Sequence, residues 1–457
     1  MKTANKKVKA ERLVRDALDK AKHFVDYNIF TFIDEEGAIA RAREIDKRIA
    51  NGEKVGLLAG VPYALKDNFL SPRGETTASA HILEVFSSPV TATSVERLEA
   101  EGAIMIGRTN LDAFAHGSST ENSYFGPTLN SADRERVAGG SSGGSAVAVA
   151  LDIVEFATGS DTGGSIRQPA SFNGIYGMKP TFGTISRYGV VAMASSLDCV
   201  GFFTKTPEDM NLLMSITSGQ DSKDMTTLPD YYNEDAPLRK AAKVGVIKDF
   251  DNESVDADIR GALKSKCELL KSKGYEIVEL DMPSLKYALA VYYIIQPAEV
   301  ASNLSRYDGV RYGFRSNKSK DLDSIYEETR SEGFMPENKR RIMVGNFVLS
   351  SGFYDAYFLK AAKARTLIVN EYRRAFEKCD YILMPVSPNP AFRLGEKVGD
   401  PVAMYLEDVM SVSLNLAGVP GLAIPAGKTT AGLPIGLQLV GPRRSDKGLI
   451  EFARELQ

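Results

Sequence analysis

Apolar positions at Val8, Leu13, Ala17, Leu18 and Ala21, set among Lys, Arg and Glu, recur at helical spacing and predict an amphipathic helix over residues 5–24. A second helix is expected from about Asp34, where Asp34-Glu35-Glu36 suits a helix N-terminus, to Asn51-Gly52, a pair suited to ending one. The pattern then changes. Residues 56–66 form a short apolar strand that ends on a lysine, Lys66. Residues 89–102 read as helix, 103–107 as strand, and 110–130 as a polar loop region. Residues 174–189 are glycine-rich and strand-like, and 207–218 read as helix. Residues 243–281 follow a strand–helix–strand order, with the helix over 255–273. Residues 284–303 are apolar and helical. Residues 315–341 are so highly charged that a surface excursion with one short helix is expected. Beyond it come helix over 343–378, strand over 381–385, helix over 402–417, and two late strands over 421–425 and 433–441. Such alternation predicts an α/β fold with helices on both faces of the sheet. No repeat or low-complexity linker interrupts it. One large domain over 1–457 is therefore expected, containing the N-terminal helices (about 5–52) and the charged excursion.

Composition removes several function classes. The hydrophobic fraction is 43% and the charged fraction 25%, ordinary for a globular chain. A net charge of −3 gives no chain-wide basic field, so any RNA contact needs a local patch or a partner subunit. The three cysteines, Cys199, Cys267 and Cys379, are far apart and lack CxxC spacing. That argues against a disulfide framework or a zinc site and favours a reducing cytoplasm. Residues 1–9 are basic with no apolar run behind them, so no secretory signal is expected. No membrane span is expected either, since no apolar run reaches about eighteen residues.

Chemistry concentrates in two glycine-serine stretches 24 residues apart, Gly139-Gly-Ser-Ser-Gly-Gly-Ser145 and Gly159-Ser-Asp-Thr-Gly-Gly-Ser-Ile-Arg167. Glycine bares the backbone amides, and serine adds hydroxyls that can attack or relay protons. The pair suits an anionic atom or one that becomes anionic during reaction. A phosphate loop needs a Gly-Lys-Ser/Thr ending, which is absent, and a dinucleotide fingerprint needs a strand before it. The residues before Gly139 are polar instead. A Ser-His-Asp triad needs a histidine. His23 belongs to the first helix, His81 has no partner signal, and His116 has no nucleophile elbow beside it. Cys199 reads as a small core residue. Lysine is left as the base, which requires it neutral and hence desolvated. Lys66, at the end of an apolar strand, fits. Taken alone it would read as a surface lysine; the pattern it belongs to argues otherwise.

Lys66, the 139–145 loop and Gly159-Ser-Asp-Thr-Gly-Gly-Ser-Ile-Arg-Gln-Pro-Ala170 together resemble the amidase signature family, in residues, order and separation. Further stretches resemble one branch of it, the A subunits of the aspartyl/glutamyl-tRNA amidotransferases. Among them are Gly117-Ser-Ser-Thr-Glu-Asn-Ser, Arg306-Tyr-Asp-Gly-Val-Arg-Tyr-Gly, Lys339-Arg-Arg-Ile-Met and Asn415-Leu-Ala-Gly-Val-Pro-Gly. The resemblance implies a mixed central sheet. It also implies a Ser–cis-Ser–Lys triad with Ser165 as nucleophile, Ser141 as bridging serine and Lys66 as base. The oxyanion hole would be formed by the amides of Thr162, Gly163, Gly164 and Ser165. Glutamine would be held by Asp408 at its amino group, Arg341 at its carboxylate, and Tyr292 nearby, with Arg340 and Tyr293 as neighbouring alternatives.

The chain departs from the pattern at Ala113, His116, Ala138 and Gln296; His116 stands where Met is common, and Gln296 where a small residue is usual. The implied activity is hydrolysis of glutamine to glutamate and ammonia. The ammonia would serve a partner B subunit that activates Glu-tRNA(Gln) or Asp-tRNA(Asn) with ATP and Mg, braced by a C subunit. This chain itself would need no metal or nucleotide, and tRNA would be met through the B subunit. The rival expectations are a stand-alone amidase acting on small amides and a non-catalytic assembly subunit. The trio Tyr292, Arg341 and Asp408 argues against the first, and intact Lys66, Ser141 and Ser165 argue against the second.

Overall fold

Period-two alternation along one central strand sets the geometry of the molecule. In the computed structural model, which describes residues 1–5, 7–234, 242–250 and 253–457, Pro62–Lys66 is buried along its whole length. Tyr63 and Leu65 face one hydrophobic cluster and Ala64 another, on the opposite side of the sheet. Lys66 has the parity of Ala64. It is therefore carried toward the helix Gly143–Ala150, whose Ala146–Val149 run packs in that second cluster.

Eleven strands form one sheet: β1 Phe30–Ile33, β2 Pro62–Lys66, β3 Ile104–Thr109, β4 Phe156–Asp161, β5 Tyr176–Lys179, β6 Cys199–Thr204, β7 Lys243–Ile247, β8 Glu276–Leu280, β9 Tyr381–Pro385, β10 Gly421–Lys428 and β11 Pro434–Val440. Their order is β1-β3-β2-β4-β6-β5-β10-β11-β9-β7-β8. The sheet is mixed. β2 runs parallel to β3 and β4, and β7 runs parallel to β8 and β9, while the pairings from β4 through β6, β5, β10 and β11 to β9 are antiparallel. Because β2 and β4 are parallel neighbours, their C-terminal ends open at the same edge. Lys66 and the 159–167 stretch therefore meet there.

Helices cover both faces. On one lie Thr93–Ala100, Pro207–Thr217, Ala257–Ser272 and Asp446–Ala453, and on the other Ala10–His23, Glu35–Ala50 and Gly143–Ala150. Asp34 caps the second of these through Gly37 N, as its sequence predicts. The predicted first helix, 5–24, is observed as Ala10–His23; residue 6 lies outside the described residues. Toward the β7–β9 end, Ala288–Asn303 and Lys360–Ala375 pack on Ile382 and Met384. Among the described residues no helix is long and apolar enough to cross a membrane.

Several elements differ from expectation. The charged stretch 315–341 holds two helices rather than one: Leu322–Gly333, capped by Asp321 and Ser324, and the start of Pro336–Leu349, begun by a proline at its first turn. The second helix lies hard against Ala288–Asn303: a Cβ on Gly345 would sit 2.0 Å from the Pro297 carbonyl oxygen. Only Tyr176–Lys179 of the 174–189 stretch is strand. The helix expected over 402–417 is split into Pro401–Leu406 and Val412–Ala417, with Asp408 between them. The helix expected over 343–378 breaks between Leu349 and Asp355, where a π-helical turn, Asp355–Leu359, leads into Lys360–Ala375. The sequence pattern does not reveal β1, β4, β6 or the helix Asp446–Ala453. Gly159, Ser160 and Asp161, which read as the start of a loop, are the last residues of β4.

Candidate active site

Lys66 ends β2 fully buried, its Nζ 2.9 Å from Ser141 Oγ, 2.9 Å from Ser160 Oγ and 3.4 Å from the Ser160 carbonyl oxygen. Burial brings its pKa down to about 7, against the opposing pull of the Asp112, Asp161 and Asp198 carboxylates. Lys66 is thus no surface lysine, and near neutral pH it titrates as a base.

Ser141 follows a cis Gly140–Ser141 peptide. Asp112 shapes the loop around it. Its carboxylate accepts from Thr120 N at 2.9 Å and Asn122 N at 3.1 Å, and its own amide donates to the Ser141 carbonyl at 3.2 Å. A Cβ on Gly140 would lie 2.1 Å from Asp112 Oδ2, so no other residue fits there. The Gly140 amide donates to Gln168 Oε1 at 3.0 Å. The two glycine-serine loops are laced directly: Ser142 N donates to the Ser165 carbonyl at 3.2 Å, and Ser142 Oγ to the Ser160 carbonyl at 3.3 Å. Ser165 is thereby held beside Ser141, although no hydrogen bond joins their hydroxyls directly.

Asp161 fixes the second loop. It accepts from Gly164 N at 2.9 Å, Ile166 N at 3.1 Å and the Arg167 guanidinium at 3.0 and 3.1 Å. Burial works against its charge, but Arg167, together with Lys179 and the Asn415 amide, holds the carboxyl below the usual range. The consequence for the oxyanion hole is a correction. The Gly164 amide is already committed to Asp161, so it cannot also point at a reacting oxygen. Thr162, Gly163 and Ser165 remain as candidate donors. Gly164 takes φ +133, and a Cβ there would meet Ser411 Oγ at 2.4 Å. Thr162 is anchored through its hydroxyl to Asp198 at 2.6 Å.

Tyr292 reaches this loop from the helix Ala288–Asn303; a Cβ on Gly163 would lie 2.6 Å from its hydroxyl oxygen. Arg341 and Asp408 face the same helix. Asp408 accepts from Ser118 Oγ at 2.8 Å and Tyr293 Oη at 2.9 Å, and burial raises its pKa to about 7. Arg341 is 4% exposed, with its Nε donating to Glu337 Oε1 at 2.8 Å and Nη1 to Gln296 Oε1 at 3.2 Å. Its guanidinium lies 5.3 Å from the Tyr293 ring centroid and 5.6 Å from that of Tyr405. Nη2 carries no hydrogen bond among the described residues, which leaves one edge for a ligand. Arg340, the neighbouring alternative, is 44% exposed and pairs with Glu337 on the outside. Tyr293, the alternative to Tyr292, belongs to the site as well. A cavity of about 230 Å³ opens here, walled by Ser118, His116, Glu337, Arg341 and Tyr405 among others.

Sequence reasoning passes over Ser160, Asp112, Asp161, Asp198 and Glu337. Ser160 and Asp161 stand inside a quoted motif, and Asp112 in Asn110-Leu-Asp. A bare-backbone loop needs buried acceptors to hold its amides, and that need is the signal that points to the two aspartates. Glu337 offers none, lying four residues before Arg341 in a run that reads as solvated charge. Of the other histidines, His23 is exposed, and His81 bonds Glu84 at 2.7 Å between the rings of Tyr124 and Phe314. All three cysteines are buried thiols.

The Amidase family model matches residues 12–450. The glutamyl-tRNA(Gln) amidotransferase A subunit of Thermosynechococcus vestitus is 50% identical over 416 residues, covering 90% of this chain and 86% of that one. The protein of the same name from Persephonella marina is 47% identical over 454 residues, covering 98% and 93%. The crystal structure of the glutamyl-tRNA(Gln) amidotransferase A subunit from Thermotoga maritima superposes with a TM-score of 0.80 at 38% identity, covering 98% of this chain and 91% of that one. The chain belongs to the amidase family.

Proposed function

We propose that this chain is the glutaminase subunit of a tRNA-dependent amidotransferase, freeing ammonia from glutamine for amidation of misacylated Glu-tRNA(Gln), Asp-tRNA(Asn) or both. The observation that carries the reading is the buried Lys66 Nζ, 2.9 Å from Ser141 Oγ, on a loop laced to that of Ser165. The names of the near-full-length relatives support the amidotransferase assignment.

Neutral Lys66 accepts the Ser141 hydroxyl proton while Ser141 accepts that of Ser165. Ser165 Oγ then forms a bond to the side-chain amide carbon of glutamine, and the carbonyl π-bond becomes an oxyanion. The amides of Thr162, Gly163 and Ser165 stabilise that charge; one such donor contributes about 3–4 kcal/mol. The proton returns through Ser141 to the leaving nitrogen, the C–N bond breaks and ammonia departs. Water attacks the acyl ester by the same relay and releases glutamate.

At the other end of the substrate, the free Nη2 edge of Arg341 binds the α-carboxylate and ionised Asp408 binds the α-ammonium. Tyr292 packs on the oxyanion loop and limits where the amide can lie. Ammonia passes to a B subunit, which supplies ATP and Mg chemistry and meets the tRNA, with a C subunit bracing the pair in the cytoplasm. The test is glutamine hydrolysis by the chain co-purified with its partners, with and without charged tRNA and ATP. Steady release of glutamate is expected. A complex that hydrolyses simple amides but not glutamine overturns the reading.

A further inference from the structure

We infer that His116 is a substrate-positioning residue: its Nε2–H is a preset neutral donor to the α-carboxylate of the substrate, beside Arg341. The inference rests on the glutaminase reading.

Hydrogen bonding around Asn338 decides the tautomer. The Met335 amide donates to Asn338 Oδ1 at 3.2 Å, and Asn338 Nδ2 donates to the Ala113 carbonyl at 2.8 Å. The Asn338 side-chain amide therefore has one orientation, and the group it presents to His116 Nδ1 is its second N–H. Nδ1 accepts, so the ring proton sits on Nε2. Burial, with the Arg341 charge in second place, holds the imidazole well below its ordinary pKa, so the ring stays neutral. The result is a fixed N–H donor rather than a titrating base.

Among the described residues that donor has no partner. His116 is fully buried in the cavity wall, and Nε2 makes no hydrogen bond. An orphaned buried donor is unfavourable, and a ligand that accepts from it recovers that loss. The backbone is held to keep it there. Phe114 and Ala115, just before His116, take φ 54 and 63, a left-handed conformation that costs a non-glycine residue energy. The His116 carbonyl is pinned by Asn122 Nδ2 at 2.8 Å. Arg341 lines the same cavity. Glu337 already offsets much of the Arg341 charge, so a second, uncharged donor gives a substrate carboxylate what Arg341 alone lacks.

The test compares glutamine with 4-aminobutanamide, which is glutamine without its carboxylate, using the complex with its partner subunits. In His116→Met, of similar size and without the donor, the ratio of kcat/KM for glutamine to that for 4-aminobutanamide falls about tenfold, through KM for glutamine. A ratio within about twofold of the unmodified complex, or an equal fall for both substrates, overturns the inference. Should His116→Met strand Asn338 and unfold the chain, the paired variant His116→Met with Asn338→Val removes both polar partners and carries the same measurement. If the unmodified complex hydrolyses no glutamine, the glutaminase reading falls and this inference with it. Normal hydrolysis with an unchanged ratio removes this inference alone.

Discussion

The two halves of the site are built in opposite ways. At the reacting end, Ser141, Ser160, Asp161 and Ser165 come from two stretches of chain and meet Lys66 at the edge where parallel β2 and β4 end. At the amino-acid end, Ser118, Tyr293, Gln296, Glu337, Arg341, Tyr405 and Asp408 come from separate segments far apart in the chain and meet only through the packing of helices and the loops beside them. The reacting end is made largely of backbone, locked by buried carboxylates. The amino-acid end is made of long side chains propped on one another. Chemistry should therefore fail abruptly when the first is touched, and substrate choice should erode stepwise when the second is.

The largest effect is expected at the nucleophile. Ser165→Ala is predicted to lower kcat for glutamine about 10⁶-fold, with the melting temperature nearly unchanged. Lys66→Ala should be almost as severe, and the double variant no worse than either, because a relay acts as one unit. Rapid-quench measurement of glutamate formation checks this. Retained turnover in Ser165→Ala would break the assignment outright.

Acidity separates the two ends next. Lys66, at about 7, is active when neutral, and Asp408, also at about 7, binds an ammonium when ionised. Both conditions are met above pH 7 and lost below it. Propionamide, which has no ammonium group, reports only the Lys66 end. Its log kcat/KM should rise with a slope of about one up to pH 7, whereas that for glutamine should approach two. At pH 5 the losses would be about 10²-fold and 10⁴-fold from the plateau. Asp112, raised to about 7 by burial, gains its charge as Lys66 loses its own and broadens the Lys66 step. Equal slopes for the two amides would remove Asp408 from the ammonium role.

The same contrast explains what can be read from the sequence. A lysine ending an apolar strand and two glycine-serine stretches are local patterns; the structure adds the parity along β2 that carries Lys66 toward the helix Gly143–Ala150. The helix Pro336–Leu349 gives no such signal, because its pattern is inverted. Asn338 and Arg341 are buried, while Met343 is 71% exposed and Phe347 45%. Hydrophobicity therefore points to the wrong face, and the charges read as a solvated loop. What buries Arg341 is a helix-helix crossing at Gly345, a contact between Gly345 and Pro297 that no local window contains. β4 and β6 escape a local reading for a related reason: Gly159 and Gly201 sit mid-strand, where glycine reads as a breaker. A Cβ at Gly201 would lie 1.9 Å from the Met178 carbonyl, so close packing and not a turn requires it.

A smaller effect is expected at the carboxylate. Arg341→Ala should raise KM for glutamine about 100-fold, the loss of a charge-assisted bond at a partly neutralised guanidinium, and should change KM for propionamide far less. Its removal also takes one of the two arginines from partly buried Glu337 and leaves it Arg340 alone, so a few degrees of thermal stability should go with it. Equal effects on the two amides would count against the carboxylate role.

The smallest effect tests whether the props matter at all. Tyr293→Phe removes only the hydroxyl that donates to Asp408 at 2.9 Å and keeps the ring under Arg341. Without that bond the Asp408 carboxylate loses a donor to its charged form, so its pKa should rise from about 7. The two terms then act in one direction. At pH 7 a larger fraction of Asp408 is protonated, and the ionised remainder is less well aimed. KM for glutamine should rise about tenfold at pH 7 and only about threefold at pH 9, where Asp408 is ionised regardless. A pH-independent change would mean that Tyr293 acts by shape alone, and would leave the charge balance of this wall to Arg341 and Glu337.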